Sequence, residues 1–438
     1  MAILHENGGN VLKTFNYHKD TPKSTDYEVE INGHKVFVFK TSAGDFINVQ
    51  FSNRLDVTVT CAKPFDDVVI RPLKHKISPT IEGNMFSFSI NMYANLIVDI
   101  EGGPSLMLFL SPLVEDNIPS GALIFKEGEI YNAGEIILKS GQCMHIEGGA
   151  VVRATVRAAD AKKVCIRGSG VLDGSLTAPN KFVVLEKCKQ VSIQDIILIE
   201  PASWMLVLGN CNDVTISNIK ELGSVVCSDG IDIVGSKNIH ISGCFIKNND
   251  DCIVLKALTK RPSYHNMAYN WDSDIDNILV RDCVLVNGPC GNALEIGYET
   301  ECDNISGVTF RDCDIITVHG YGAAFSIHNG DRAKISNVTY EDIRVEHYYD
   351  KLIDFRILHS KYNTDTDRGH IENIKFKNIY AMTSIHNAGH TISLIGGYDK
   401  GHLISGVEFD GFFIDDKKIT NCDELDLYVK NGENIVFK

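Results

Sequence analysis

The 438-residue sequence predicts an all-β protein in which an N-terminal β-sandwich, residues 1–120, precedes a right-handed parallel β-helix, residues 121–438. Two observations support this prediction. Short, alternating segments rich in β-branched residues recur at intervals of 23 to 39 residues, which is the spacing of a solenoid repeat. No long segment has the apolar period of an amphipathic helix.

The first 120 residues lack this repeat. Segments such as "DYEVEINGHKVFVFKTS" and "FINVQFSNRLDVTVTCAK" alternate apolar and polar residues around NG and SN turns, a pattern typical of antiparallel strands. We therefore expect a separate sandwich domain here. It would also cover the first coil of the solenoid, whose strand edges are otherwise unpaired.

The remaining sequence carries two interleaved series of strands. One series runs from "KVCIRGS" to "GVEFDGF", and the other includes "KFVVLEKC" and "DCIVLKA", so each coil contains at least two strands. Strands of stacked coils lie about 4.8 Å apart. Five cysteines recur near strand ends and are expected to pack inside the coils: Cys188, Cys211, Cys244, Cys283 and Cys313.

Composition restricts the partners of the protein. A formal net charge of -15 argues against nucleic acid as the main partner, and "LMLFLSPLV", residues 106–114, is too short to span a bilayer. The first residues show no leader, and thirteen cysteines without a CxxC motif indicate reduced thiols. These features predict a cytoplasmic protein, or a secreted one if a leader has been removed. They do not predict an oligomeric state.

Three aspartates are brought together by the repeat. Asp229 in "CSDGIDIVGS" precedes Asp250 in "NDDCIVLKAL" by 21 residues, which is about one coil. Stacking of the two coils would therefore place Asp229 beside Asp250 and Asp251. Crowded carboxylates separate their pKa values, so one can stay protonated while another is ionised, as glycoside hydrolysis requires. A solvated turn and a calcium site are the alternatives. We favour catalysis because the pair is in register with a third carboxylate.

The same segments resemble a known family. "SDGIDI" and "NNDDCIVLK" are similar to the N-T-D-G and G-D-D-C motifs of polygalacturonases, and "GNALEIG" stands at the place of their G-H-G-x-x-I-G segment. The resemblance spans about residues 122 to 420. It implies a right-handed β-helix hydrolase that inverts the anomeric carbon, with Asp250 as general acid and with Asp229 and Asp251 activating water. It implies a carbohydrate substrate, no organic cofactor and no metal.

Two departures from the family motifs bear on the substrate. Asn292 stands where the motif histidine is expected, and "SIH", residues 326–328, replaces the R-I-K that grips a substrate carboxylate. A bidentate arginine clamp is hard to replace, so we expect weak activity on polygalacturonate. The layout is also similar to the dextranase and isopullulanase family, which cleaves neutral α-glucans. Both substrate classes stay open.

Further residues are expected to line the substrate groove. Counting from the register of Asp251 and Asn292, three side chains should flank the aspartates on later coils: Glu295, Ser326 and His328. The resemblance adds two more, because Lys256 matches a lysine that follows the family's G-D-D-C motif and Asn292 stands at the place of its motif histidine. The longest gap between repeats holds an aromatic insertion, whose Tyr264, His265, Tyr269 and Trp271 suit stacking on sugar rings or packing on neighbouring loops. A polysaccharide lyase and a non-catalytic glycan-binding β-helix remain the alternative functions.

Overall fold

The computed structural model describes residues 2–7, 9–114, 118–176, 181–261 and 267–438. Its first twelve strands are β1 Ile3–Asn7, β2 Asn10–Thr14, β3 Tyr27–Ile31, β4 His34–Val36, β5 Phe39–Thr41, β6 Gly44–Ser52, β7 Leu55–Cys61, β8 Val68–Arg71, β9 Thr80–Glu82, β10 Met85–Ile90, β11 Ala94–Ile100 and β12 Leu106–Pro112. They form a seven-stranded sheet, in which β6 and β12 pair in parallel, and a five-stranded antiparallel sheet. Two short 3-10 helices span Leu73–His75 and Asp423–Leu425.

A third sheet contains thirty strands and coils upon itself. Its strands are β13 Leu123–Phe125, β14 Ile130–Ile137, β15 Cys143–Ile146, β16 Val151–Ala159, β17 Cys165–Gly168, β18 Val171–Asp173, β19 Val183–Glu186, β20 Lys189–Gln194, β21 Ile197–Ile199, β22 Leu206–Gly209, β23 Asn212–Ser217, β24 Lys220–Leu222, β25 Ile231–Val234, β26 Lys237–Ser242, β27 Phe245–Asn248, β28 Ile253–Ala257, β29 Ile275–Arg281, β30 Val284–Asn287, β31 Leu294–Thr300, β32 Asn304–Arg311, β33 Asp314–Val318, β34 Ala323–Asn329, β35 Lys334–Val345, β36 Lys351–Ile357, β37 His370–Ala381, β38 Ser393–Gly396, β39 Ile404–Ile414, β40 Lys417–Lys418, β41 Leu427–Lys430 and β42 Gly432–Phe437.

Strands of this sheet pair in parallel with their counterparts on the next coil. The series β22, β25, β28, β31 and β34 forms one continuous face, and β24, β27, β30 and β33 form another. The structure therefore confirms the predicted parallel β-helix. Strands up to Pro112 belong to the first two sheets, and strands from Leu123 onward belong to the third. The predicted boundary at residue 120 lies between these two positions. The division into two domains stays a prediction.

Turn residues and stacked side chains hold the coils in register. Asn238 and Asn277 occupy equivalent turns with left-handed backbone angles, a conformation that asparagine tolerates better than most residues. The Asn277 side chain donates to Asn238 Oδ1 at 2.7 Å, which links one coil to the next. Inside the coils, rings stack along the axis, as between Phe376 and Phe409 with centroids 5.0 Å apart. The five cysteines expected in this core are all buried.

The N-terminal sheet packs along the side of the β-helix. Phe46 and Phe109 on this sheet join one apolar cluster with Val171, Leu222 and Phe245 on three of the coils. The rings of Phe109 and Phe245 lie 5.3 Å apart. The sheet therefore covers a flank of the helix. The N-terminal segment also reaches the first coil, as expected, because the Asn16 amide donates to Glu127 Oε1 at 2.9 Å. Within the described ranges, no helix has the length and apolar character needed to cross a membrane.

One carboxyl group lies inside the coils without a hydrogen-bond partner among the described residues. Glu221, on β24, is fully buried, and neither of its carboxyl oxygens is bonded. Burial raises the pKa of Glu221 well above its usual range, with smaller contributions from Cys244 and Asp232. The folded chain therefore keeps this proton while the unfolded chain ionises, so the stability of the fold decreases as pH rises above the ordinary glutamate range.

We expect Glu221→Met to stabilise the protein by about 1–3 kcal/mol, because it removes an unsatisfied buried polar group without changing the volume much. The gain should be larger near pH 8 than near pH 4, where glutamate is protonated in both states. Urea denaturation at both pH values measures it. The matched control is Glu433→Met on an exposed position of β42. Loss of stability, or an equal gain at both pH values, would contradict the expectation.

Candidate active site

The three aspartates lie just before two paired strands that belong to neighbouring coils and form part of the same face. Asp229 precedes β25, Asp250 and Asp251 precede β28, and Ile231 pairs with Ile253 in the parallel register. One carboxylate oxygen from each aspartate lies within 4.8 Å of the others. The one-coil register inferred from the sequence thus places the three carboxylates together.

Asp250 is the most accessible of the three, because it is only half-buried. Its Oδ1 accepts a hydrogen bond of 3.0 Å from the Asp251 amide, and the Cys227 amide also donates to its carboxylate. Burial, followed by the charge of Asp229, outweighs these donors and raises the pKa of Asp250 to about 6. A carboxyl group with this pKa can donate a proton in mildly acidic solution.

Asp251 is held in a single orientation by Asn292. The backbone amide and the Nδ2 atom of Asn292 both donate to Asp251 Oδ1, at 2.8 and 3.0 Å. Asn292 Oδ1 in turn accepts from the Ala323 amide at 2.8 Å, which orients its side chain. Burial raises the pKa of Asp251 well above its usual range, with Glu295 as the next cause. Asn292, predicted to bind substrate, therefore positions Asp251.

Lys256 neutralises the other side of the cluster. Its Nζ donates to Asp229 Oδ2 at 2.5 Å and to Asp232 Oδ1 at 2.9 Å, and it lies 4.0 Å from the centroid of the Trp204 ring. Burial alone would lower the pKa of Lys256, but Asp229 and Asp232 raise it well above its usual range. Asp229 therefore faces a fixed positive charge.

His328 and Arg356 form a second charged group beside the aspartates. His328 Nδ1 lies 2.9 Å from Glu295 Oε1, and Nε2 lies 3.3 Å from Asp354 Oδ2. Burial alone would lower the pKa of His328, but Glu295 and Asp354 raise it to about 9, so the imidazole is cationic at neutral pH. Arg356 forms an ion pair with the same Asp354, with Nε 2.7 Å from Oδ1 and Nη2 donating to Oδ2 at 2.8 Å.

These groups surround an open cavity of about 480 Å³. Five carboxylates line it: Asp229, Asp250, Asp251, Glu299 and Asp354. Among the described lining residues the cations are Lys256, His328 and Arg356, and each of them contacts a carboxylate. The cavity therefore combines crowded acids with aromatic rings and has no excess of positive charge.

A protein-family comparison identifies the family of this chain. Residues 139–431 match the model of glycosyl hydrolases family 28, which is more than half of the chain. The chain belongs to glycosyl hydrolases family 28. This family membership agrees with the resemblance carried by the aspartate motifs.

Family 28 relatives match only parts of the sequence. A probable rhamnogalacturonase A from Aspergillus niger is 24% identical over 192 residues, which cover 39% of this chain and 41% of that protein. A polygalacturonase from Juniperus ashei is 28% identical over 174 residues, covering 37% of this chain and 29% of that protein. The chain thus aligns with less than half the length of these curated relatives.

Solved structures resemble this chain over a longer span. Dex49A from Penicillium minioluteum covers 100% of both chains with a TM-score of 0.72 and 14% identity. A hyperthermoactive exopolygalacturonase from Thermotoga maritima covers 73% of this chain and 84% of its own, with a TM-score of 0.57 and 18% identity. At these identities the likeness establishes the fold alone.

The aromatic insertion does not supply the stacking surface expected from the sequence. Trp271 is 0% exposed, and its Nε1 donates to Glu186 Oε1 at 3.0 Å, so its predicted contact with substrate is wrong. The reason is that Trp271 pairs with Leu258 and folds back over the preceding coils, where Gly209 leaves space for the indole.

Tyr269 also lies away from the cavity lining of this family 28 protein. Its ring packs against Lys187, whose Nζ is 3.7 Å from the ring centroid, and its hydroxyl donates to Asp160. The predicted role of Tyr269 in substrate binding is therefore not supported. Tyr264 and His265 lie outside the described residues.

Of the other predicted binding residues, Lys256, Asn292 and His328 line the cavity. Glu295 does not, because it is fully buried beneath His328, so its predicted substrate contact is wrong. The Glu295 carboxylate contacts His328 instead.

Four aromatic residues of the cavity were not among the predicted binding residues: Trp204, Tyr298, Tyr321 and Tyr362. Tyr298 stacks on His328 with centroids 4.2 Å apart and planes at 7°. Tyr321 could have been found from the sequence, because the turn "GYG" lies one coil after the turn "GPCGN" beside the aspartates. The structure places these turns together, with Gly322 against Gly291. Tyr298 and Tyr362, by contrast, meet only through packing of their loops, at 5.7 Å.

The aspartate cluster also has the composition of a site for a hard cation, because carboxylate oxygens are the ligands that calcium and magnesium prefer. Lys256 Nζ already contacts Asp229 there. One of the three carboxylates therefore already has a cation of the chain as its partner.

Proposed function

We propose that the protein is a glycoside hydrolase that cleaves an α-glycosidic bond in a pectic glycan whose uronic acids are separated by neutral sugars. The observation that carries the proposal is the cluster of Asp229, Asp250 and Asp251, which combines an accessible acid of raised pKa with a carboxylate facing Lys256. Membership of family 28 supports the reaction class.

The two sides of the cluster suit different steps of hydrolysis. Asp250, with its pKa raised to about 6, protonates the glycosidic oxygen as the bond breaks. Asp229, whose negative charge Lys256 stabilises, removes a proton from the attacking water. Asp251, held by Asn292, orients that water. Activity should decrease above about pH 6, because Asp250 loses the proton that it must donate.

The resemblance to polygalacturonases implies inversion at the anomeric carbon. In general, the two carboxyl groups of inverting enzymes lie roughly 6.5–9.5 Å apart. The nearest oxygens of this cluster lie within 4.8 Å, so spacing alone does not support inversion. Proton NMR of the first product decides the point, since an inverting enzyme releases the β-anomer from an α-linkage.

The charges around the cavity bear on the substrate. A run of adjacent uronates needs several cations that are free to bind carboxylates. In the described part of the lining, Lys256, His328 and Arg356 are all engaged with acidic side chains, and the chain has a net charge of -15. Isolated uronates place fewer negative charges in this cavity. The rhamnogalacturonase relatives are named for a substrate of this kind.

We expect rhamnogalacturonan oligosaccharides to be cleaved at least about tenfold faster than polygalacturonate. The reason is that each substrate carboxylate left without a partner in the binding site lowers the rate by about tenfold. Reducing ends are measured at matched ionic strength on these two substrates and on dextran. Asp250→Asn serves as the blank.

Each other outcome of this panel has a distinct meaning. Efficient, salt-sensitive cleavage of polygalacturonate would contradict the substrate proposal and point to a cation elsewhere. Preferred cleavage of dextran would support the neutral α-glucan alternative, which the acidic lining also permits. Unsaturated, UV-absorbing products would indicate a lyase, and binding without turnover a glycan-binding protein.

A further inference from the structure

Beyond the catalytic cavity, turns of three successive coils bring four aromatic side chains into contact. These are His319 after β33, His347 and Tyr349 after β35, and His386 after β37. The ring centroid of His319 lies 5.1 Å from those of His347 and Tyr349 and 5.9 Å from that of His386. His319 Nδ1 and His347 Nε2 are 2.8 Å apart, so one ring donates a hydrogen bond to the other.

Tyr321 connects this cluster to the cavity along the chain. Tyr321 lies in the same turn as His319, lines the cavity and is 86% exposed. The turn is fixed against the catalytic loops, because a Cβ at Gly322 would lie 1.7 Å from the Gly291 carbonyl oxygen. From the next coil, Lys351 Nζ donates to the Tyr321 carbonyl at 3.1 Å. The exposed ring of Tyr321 therefore projects from a tightly packed support.

The exposed rings suit a sugar. His319 and His386 are exposed, and Tyr349 is 41% exposed, so their faces and polar edges are accessible from solvent. Aromatic faces pack on the apolar faces of pyranose rings, while phenol and imidazole edges bond hydroxyl groups.

The surroundings of the rings do not favour an anion. Burial, followed by the neighbouring histidines and Arg71, lowers the pKa of His347 to about 4, which keeps it neutral. Arg71 itself is paired with Glu346, and Lys351 with Asp350. A neutral sugar is therefore better suited to this surface than a uronate.

We propose that Tyr321, His319, Tyr349 and His386 form an aromatic strip that extends the catalytic cavity along later coils and binds a neutral sugar of the substrate chain. The proposal rests on the proposed function, since it assigns a distal binding site for the same glycan. Tyr321 lines the cavity and shares a turn with His319, which argues for the substrate itself as the occupant. Substrates long enough to reach the strip should then bind more tightly than short ones.

Chain-length dependence tests the strip. Rhamnogalacturonan oligosaccharides of increasing length are hydrolysed by the wild type, by Tyr349→Ala and by His386→Ala, and kcat and KM are measured for each length. Each variant should lower the ratio of kcat/KM for long over short substrates roughly fivefold, mainly through KM, as expected for loss of one ring contact. The matched control is Tyr428→Ala, which removes a ring of similar exposure, 54%, from β41.

The outcomes separate the strip from the catalytic proposal. An unchanged ratio in both variants, or an equal fall in Tyr428→Ala, would overturn the strip. A uniform loss of kcat at every length would also overturn it, because it would show a structural effect. If the wild type cleaves none of these substrates, the proposed function fails. NMR titration with the same oligosaccharides then tests the strip. Weaker binding of long oligosaccharides by Tyr349→Ala than by the wild type supports the strip, and equal binding by the two proteins overturns it.

Discussion

Asp250→Asn is expected to lower kcat by about 10²–10⁴-fold, the usual contribution of a general acid, while leaving the fold intact. The amide has nearly the same shape as the carboxyl group but cannot supply the proton. The wild-type decrease in activity above about pH 6 should disappear from any residual activity, because the group responsible for it is Asp250. Reducing-end assays across pH, with circular dichroism for folding, measure both effects.

The matched control is Asp367→Asn, which makes the same change at an exposed position on a loop between β36 and β37. It should retain wild-type turnover. A substrate with an activated leaving group provides a second control, since its cleavage depends less on protonation and should be reduced less by Asp250→Asn. Near-normal hydrolysis of the natural glycosidic bond by Asp250→Asn would show that another group is the acid.

Lys256→Met should destabilise the fold by about 3–5 kcal/mol, the usual effect of removing one partner of a buried ion pair. The apolar side chain fills the space but leaves Asp229 and Asp232 without the ammonium that contacts both. Hydrolysis should be lost as well, because Lys256 no longer holds the Asp229 carboxylate in place beside the attacking water. Urea denaturation and turnover, measured on the same preparations, test the two effects.

Two further variants make the result specific. Lys400→Met, at an exposed turn, should change stability by less than about 0.5 kcal/mol. Adding Asp232→Asn to Lys256→Met should recover part of the lost stability, since one fewer carboxylate is left unpaired, and a double-mutant cycle measures this coupling. Additive effects of the two changes would mean that the contact between Lys256 and Asp232 contributes little.

The sequence by itself determined the β-helix and the meeting of the three aspartates. Both depend on a periodic property, because parallel coils place equivalent residues next to each other wherever the repeat is regular. The separation of 21 residues between Asp229 and Asp250 was therefore sufficient to bring them to one face. The same register predicted His328 at the cavity, and the family motifs predicted Lys256 and Asn292 there.

Only the tertiary structure decided which side chains are free to meet a substrate. Trp271 belongs to an insertion outside the repeat, so its burial over Gly209 followed from packing that no period describes. Likewise, the sequence predicted Lys256 as a substrate-binding residue, yet within the fold its ammonium contacts the carboxylates of Asp229 and Asp232. Periodicity specifies neighbours along the coil axis, whereas ion pairing and loop packing depend on distances of a few ångströms between side chains in three dimensions.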